Sequence, residues 1–383
     1  MHLGLLAMEF PPQMGGMQEH ARGVVTHLAG KIRLSVFTAP DLGLEVPDTE
    51  TIACLTGSAL ADTPLLRQRP VDAWLALSAG MAAYAPYLSQ PLVAYVHGND
   101  FTRPWAPIAG PGIRRAIGAT YRLSPRLAEW GVTRWRRVVI RRGLRVAVGL
   151  FANSHYTRDR CIAEMGVSPK RFFVVAPGVD ERYFQTSPAR PAEGPLRLLT
   201  VSRLCNWARR KNIDGVIEAV ALLKDRTPIV YTIVGDGDDV ERLRSLATKL
   251  GVADRVVFAG AVDDTRLRQL YLDSDAFVLA VRPAADDIEG FGMVYVEAAA
   301  SGVPSIAVRI GGVTDAIRDG ETGILLADAS NHSIAAGVLR FMEERQRFDP
   351  CTIQRLAYRH SAKQTTAQLL THMKAMLAPY PER

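Results

Sequence analysis

The run LRLLTVSRLCNWARRKNIDGVIEAVALLKDRTPIVYTIVGDG, residues 196–237, decides the fold. Leu198–Val201 and Ile229–Val234 are short apolar runs, and Asn212–Lys224 between them is periodic as a helix is. A strand, a helix and a second strand at this spacing imply parallel strands joined by a crossover. The same alternation continues with Val256–Phe258, Ala276–Leu279 and Ser305–Val308 as strands and Val240–Leu250, Thr265–Tyr271 and Met293–Ala300 as helices. It also runs through the first half. There the strands are His2–Ala7, Leu34–Thr38, Ala73–Leu77, Leu92–Val96, Val148–Ala152 and Phe172–Val175, with helices at Met17–Leu28 and at Ser154–Met165, where Ser154 is the N-cap. The fold class is therefore α/β with parallel sheets.

At 383 residues the chain is too long for one average domain. Thr186–Pro195 holds three prolines, a glycine and few large apolar residues, and reads as the linker. The expected division is 1–187, 196–355 and a tail, 356–383, that begins within the helical stretch Cys351–Leu377. No run of about 18 uncharged apolar residues predicts a membrane span. Met1–Met8 lacks a basic lead and reads as a buried strand, not a secretory signal. The four cysteines, Cys54, Cys161, Cys205 and Cys351, lie far apart, which fits a reducing cytoplasm.

The net charge is +7, and between Ile113 and Arg145 ten arginines face one acid, Glu129. Such a field attracts anions. Nucleic acid is disfavoured as a partner, because no helix-turn-helix, zinc-finger or RNA-binding signature accompanies the charge. Trp105, Trp130 and Trp135 lie in or near this segment. Arginines beside interfacial aromatics imply peripheral contact with an anionic membrane, on the inner face of the plasma membrane; a basic face for a soluble anionic acceptor is the competing reading.

Five stretches carry chemistry. Phe10-Pro11-Pro12 and Gly15-Gly16 separate the first strand from a helix, where backbone can approach a phosphate; an ordinary tight turn is the plainer alternative. His97-Gly98-Asn99-Asp100 follows a buried strand, where the imidazole could donate to a sugar hydroxyl or serve only the turn. Arg203, after strand Leu198–Val201, and Lys211, before the next helix, could neutralise a diphosphate, or belong to a solvated basic loop with Arg209 and Arg210. Glu289-Gly290-Phe291-Gly292 leads into an apolar helix from Met293 that carries the single carboxylate Glu297. A charge in that setting needs a partner, and a pair of ribose hydroxyls suits it better than a buried arginine. Gly311-Gly312-Val313 and Asp319–Gly323 form glycine turns, of which Gly320 and Gly323 serve the chain reversal. Asp273-Ser274-Asp275 matches a metal-binding pattern but reads as helix termination, so no metal and no other cofactor is expected.

Taken together, Phe10–Leu28, Pro177-Gly178-Val179-Asp180, Val201–Leu204 with Lys211–Asp214, Val234-Gly235-Asp236-Gly237 and Glu289–Pro304 resemble glycosyltransferase family 4 over almost the whole chain. The seven residues between Glu289 and Glu297 match the signature of that family. The resemblance implies the GT-B fold, two Rossmann-like doubly wound domains facing each other across a deep cleft. The first would bind the acceptor and the second the nucleotide sugar, and the tail, 356–383, would cross back onto the first domain. It also implies a retaining, metal-independent hexosyl transfer from a UDP- or GDP-linked sugar. The acceptor would be a hydroxyl of a glycan, a lipid-linked molecule or a small molecule, in cell-surface polysaccharide or glycoconjugate synthesis. On the same basis Glu297 would hold the ribose and Glu289 the donor-sugar hydroxyls. Arg203 and Lys211 would neutralise the diphosphate with help from Gly15, Gly16 and the backbone of Phe291, Gly292 and Met293, and His97 would contact the donor sugar. Three positions depart from the family: Ser202 replaces a glycine, Ala176 an asparagine, and Lys211 stands eight positions after Arg203, so that Arg210 could take its place. An epimerase or phosphorylase on the same fold, or a non-catalytic sugar-nucleotide-binding subunit, are the alternatives.

Overall fold

The computed structural model describes residues 1–11, 15–40, 42, 46–102, 125–185, 194–284, 287 and 289–380, with the side chains of 125–129 left aside. Residues 186–193 of the expected linker, 113–124 of the arginine-rich segment and Trp105 lie outside the described residues. The chain forms two compact units. One comprises Met1–Gly178, Asp286–Gly290 and Ala362–Arg383, the other Val179–Ala285 and Phe291–Ser361.

The first unit is built on seven parallel strands: β1 (His2–Ala7), β2 (Arg33–Thr38), β3 (Thr49–Ala53), β4 (Ala73–Ala76), β5 (Leu92–Val96), β6 (Gly149–Ala152) and β7 (Phe172–Val174). Their order is β3-β2-β1-β4-β5-β6-β7. Side chains alternate between faces, so each strand feeds two cores. Leu3, Leu5, Val36, Leu75, Val93 and Phe151 pack on one face with Val24 and Val25 of α1 (Gly16–Leu28). Leu6, Phe37, Trp74, Ala94, Val96 and Leu150 pack on the other. That face is covered by α2 (Ala59–Arg67), the 3-10 segment Ala79–Tyr87, α3 (Pro125–Val146) and α4 (His155–Met165). A parallel sheet covered on both sides needs apolar residues at nearly every strand position, as these strands have.

The second unit has six parallel strands: β8 (Leu196–Val201), β9 (Ile229–Val234), β10 (Val256–Gly260), β11 (Ala276–Leu279), β12 (Ser305–Val308) and β13 (Gly323–Leu326), in the order β10-β9-β8-β11-β12-β13. Its helices are α5 (Ile213–Leu222), α6 (Val240–Lys249), α7 (Asp264–Leu272), α8 (Met293–Ala300), α9 (Asn331–Glu343) and α10 (Pro350–Ala357). The chain then returns to the first unit as α11 (Ala362–Leu377), whose Leu369 and Met373 join the α1 side of the core.

Three elements differ from the sequence reading. β3 was not expected, because its residues TETIA are mostly polar; it is an edge strand paired on one side with β2. The turn at Gly323 is not only a reversal. It opens β13, and a side chain there would bring Cβ to 2.2 Å from the Ser305 carbonyl oxygen. The tail is two helices broken at Tyr358–Ser361, not one run from Cys351 to Leu377. Ser154 does cap α4, accepting from the Thr157 backbone N–H at 3.0 Å.

Helix α3 lies tight against the 3-10 segment at Gly143, where an added Cβ would sit 2.0 Å from the Ala82 carbonyl oxygen. Gly131 on the same helix has open space around it. Alanine is normally favoured over glycine in a helix by about 1 kcal/mol, whereas overpacking against backbone costs about 1–3 kcal/mol. Gly131→Ala is therefore expected to raise the melting temperature and Gly143→Ala to lower it; equal shifts would remove the close approach.

Candidate functional site

In each sheet the chain winds outward in one direction and then returns to wind in the other. The reversal falls between β1 and β4 in the first unit and between β8 and β11 in the second. The loops leaving the carboxyl ends of such strands diverge, and ligands of open α/β sheets bind there.

At this point of the first unit stand Glu9 beyond β1, Ser78 beyond β4, His97 beyond β5 and Asn153 beyond β6. Asp100 ties two of these loops together. Its carboxylate accepts from the backbone N–H of Ala79 at 2.7 Å, of Gly98 at 2.8 Å and of His97 at 3.0 Å. His97 Nε2 donates to the Leu77 carbonyl at 3.0 Å. That fixes the tautomer, leaving Nδ1 as an acceptor while the ring is neutral. The sequence reading of His97 as a donor to a sugar hydroxyl is corrected accordingly: the ring's N–H is spent on Leu77. Burial lowers the His97 pKa, against the opposing pull of Asp100 and the Leu77 carbonyl. His20, on α1, is buried between Tyr95 and His97, with ring centroids 4.4 and 5.4 Å away, and burial holds it neutral. Glu9 is pushed up to about 7, chiefly by burial and then by Asp100.

Glu289 belongs to the first unit, although the division at the linker assigned it to the second domain. The reason is local packing. Asn99 Nδ2 donates to Asp287 at 2.8 Å and the Thr157 hydroxyl to the Gly290 carbonyl at 3.3 Å. A Cβ on Gly290 would lie 2.2 Å from the His97 carbonyl oxygen and 2.9 Å from Asn153 Nδ2. Only glycine admits this approach, which carries Glu289, half-buried, to the strand ends beside His97.

In the second unit the loop after β8 lies along the loop after β9. Ser202 N–H donates to Val234 and Leu204 N–H to Asp236, both at 3.0 Å. A Cβ at Gly235 would meet the Ser202 carbonyl oxygen at 1.8 Å, and one at Gly237 the Leu204 carbonyl oxygen at 2.4 Å. The glycines needed for this contact thus sit on the β9 loop, so Ser202 is accommodated. Arg203 is exposed and stacks on Trp207 at 4.6 Å. Lys211 ends a 3-10 turn, Asn206–Lys211, pinned by buried Asn212, whose Nδ2 donates to Ala280 and Ala329 carbonyls at 2.8 and 2.9 Å. Arg209 is committed elsewhere: its Nε donates to Asp239 at 2.9 Å, and Arg242 and Arg209 together hold that carboxyl below its usual range.

Glu297 stands on α8, half-buried. Tyr271 donates its hydroxyl to Glu297 Oε2 at 2.9 Å. Burial and then this carboxylate raise the Tyr271 pKa, so the phenol stays a donor. Tyr183 packs edge-on against Tyr271 at 6.0 Å. Gly292, in left-handed conformation, opens α8 at Met293 with Phe291 buried beside it. Gly15 likewise precedes α1, which starts at Gly16. Asp275 accepts from the Arg197 N–H at 2.8 Å and from Arg345 at 2.6 Å, as a structural anchor between β8, β11 and the end of α9.

Sequence reasoning missed Glu9, His20, Asn153 and Tyr271. Glu9 had one legible signal, a lone carboxylate closing an otherwise apolar first strand. The other three acquire meaning only from neighbours distant in sequence.

A family model for glycosyltransferase family 4 matches residues 14–183, and one for glycosyl transferases group 1 matches residues 184–363. The chain is 29% identical over 357 residues to the GDP-mannose-dependent alpha-(1-6)-phosphatidylinositol monomannoside mannosyltransferase of Mycolicibacterium smegmatis, covering 87% of each chain. In fold it resembles sucrose-phosphate synthase from Thermosynechococcus elongatus, with a TM-score of 0.75 and 18% identity over 98% of this chain and 99% of that one. It resembles Anabaena HepE in complex with UDP and glucose similarly, with a TM-score of 0.71 and 20% identity over 98% and 99%. With the two matched models meeting end to end over residues 14–363, one on each parallel-sheet unit, the chain belongs to the glycosyltransferases of family 4.

Proposed function

We propose that this glycosyltransferase transfers a hexose with retention from a nucleotide-diphosphate sugar, GDP-mannose first among candidates, to a hydroxyl of a lipid-linked acceptor, without a divalent ion. The observation that carries the reading is the segment from Glu289 to Glu297: a left-handed Gly292 opens α8, and Glu297 on that helix accepts from Tyr271. A carboxylate has about four acceptor positions, so a bond from Tyr271 is compatible with a ribose diol. The backbone N–H groups that open α8 suit phosphate oxygens. Arg203 and Lys211 supply the charge that a metal supplies in other transferases. The donor and the base are suggested by the printed name of the mycobacterial relative, which is GDP-mannose-dependent and acts on phosphatidylinositol monomannoside.

In this reading the second unit holds the nucleotide and the first the acceptor. Glu289 takes donor-sugar hydroxyls, and His97 Nδ1 accepts from one of them. The acceptor oxygen bonds to the anomeric carbon as the bond from that carbon to the phosphate oxygen breaks. The acceptor's proton passes to the departing phosphate oxygen, so no dedicated base is needed. A two-carboxylate scheme of the kind used by retaining hydrolases is not required.

Helix α3 supports a lipid-linked acceptor. Its Ile140 and Leu144 are buried, while Trp130, Trp135, Val138 and Val146 are exposed among Arg134, Arg137, Arg141, Arg142 and Arg145. Arg134 lies 5.5 Å over the Trp130 ring. Exposed tryptophan with arginine suits an anionic interface.

Three outcomes are expected. Glu289→Ala should lower kcat by roughly 10²–10³, the worth of one preorganised polar contact; a folded variant with near wild-type turnover removes its role. Lys211→Ala should slow transfer more than it weakens GDP binding, with wild-type activity unchanged in chelator; an unaffected rate would shift the assignment to Arg210, and activity that needs magnesium would end the metal-free reading. Sedimentation with phosphatidylglycerol-containing vesicles should succeed at low salt and fade at high salt, where the Debye length is shorter; no binding at low salt removes the membrane.

A further inference from the structure

Among the described residues, five buried side-chain atoms of the first unit lack a hydrogen-bond partner, and three of them, Ser78 Oγ, Asn153 Oδ1 and His20 Nε2, share one neighbourhood. Their residues are only 2, 4 and 3% exposed. They belong to one place. Ser78 follows the Leu77 carbonyl that takes the His97 N–H, Asn153 Nδ2 donates to the His97 carbonyl at 3.0 Å, and the His20 ring meets the His97 ring. Glu9 stands at the same strand ends, with Ser78 and Asp100 beside it.

We propose that these residues form a subsite that reads a neutral polyhydroxyl ring of the acceptor, with Glu9 as its specificity-determining residue. The proposal rests on the first unit being the acceptor-holding half. The chemistry selects hydroxyls. Unmade hydrogen bonds at buried atoms are costly, and the orphan set mixes an amide acceptor, a hydroxyl and an imidazole nitrogen. Alcohol groups both donate and accept, so they can satisfy all three. A phosphate or carboxylate would bring negative charge beside Asp100 and Glu9.

Glu9 stands at these strand ends against the cost of its burial. Its pKa is raised in the folded chain from 4.5 to about 7, so stability is lost as pH climbs through that interval. The groups that act on it are Asp100, Ser78 and its own backbone N–H. His97 and His20 of the same cluster are both held below their ordinary value, while Glu9 is raised to about 7. A residue kept at a stability cost at strand ends marks function.

The test is ligand-observed NMR on the full chain with methyl α-D-mannoside and myo-inositol, and with inorganic phosphate as competitor. At least one polyol should bind and resist phosphate. Ser78→Ala and Glu9→Ala should weaken it tenfold or more while GDP still raises the melting temperature. Glu9→Gln, which keeps the shape should Glu9→Ala fail to fold, should raise the melting temperature at pH 8 and flatten a wild-type change in polyol affinity between pH 6 and 8. Polyol binding that is absent in the wild type, displaced by phosphate, or unchanged in Ser78→Ala and Glu9→Ala overturns the subsite. Polyol binding without any GDP effect supports it and instead strikes the donor reading.

Discussion

The first unit's site hangs on the Asp100 carboxylate. Parallel strands end with backbone N–H groups that the sheet does not pair, and the loops beyond β4 and β5 must satisfy them without regular structure. Asp100 does so for Ala79, His97 and Gly98 together, which locks the loops beyond the neighbouring strands β4 and β5. Charge-assisted bonds of this kind are about twice as strong as neutral ones. The same charge acts on its neighbours, raising Glu9 and opposing the fall in the His97 pKa. One side chain thus fixes where the imidazole stands and sets the field around it.

The second unit solves the equivalent problem with bare glycines and one buried amide. Gly235 and Gly237 let the β9 loop lie flush along Ser202–Leu204, and Asn212 pins the turn that ends in Lys211 to the carbonyl ends of Ala280 and Ala329. The basic side chains Arg203 and Lys211 are thereby carried on stiff backbone, while Arg209 is withdrawn into the pair with Asp239. Rigid placement matters here because electrostatic stabilisation gains most when the charges need no reorganisation.

The parallel strands were legible because burial on both faces demands continuous apolar runs, and β1, β5, β9, β11 and β12 begin and end where such runs do. The edge strand β3 was hidden by the same rule: with one neighbour and a solvated surface, TETIA needs no apolar run. In the site, the glycines and charges of the Glu289–Glu297 segment stood out as chemistry out of place in an apolar helix. The His97 tautomer could not be read, since it depends on the carbonyl of Leu77, and neither could the Tyr271 bond to Glu297, which joins α7 to α8. The placement of Glu289 with the first unit depends on Gly290 meeting a carbonyl almost two hundred residues earlier in the chain. Periodicity records what each residue faces on average; it does not record which distant atom it touches.

Helix α11 gives the molecule a particular order of assembly. Leu369, Met373 and Leu377 complete the core begun by β1 and α1, and Gly178 and Gly23 are kept bare so that Ala362 can come down on them. During synthesis, the α1 side of the first sheet therefore stays incompletely covered while the whole second sheet is made. Amino-terminal domains usually finish first on the ribosome. Here that unit closes only once α11 has been made, after the second sheet.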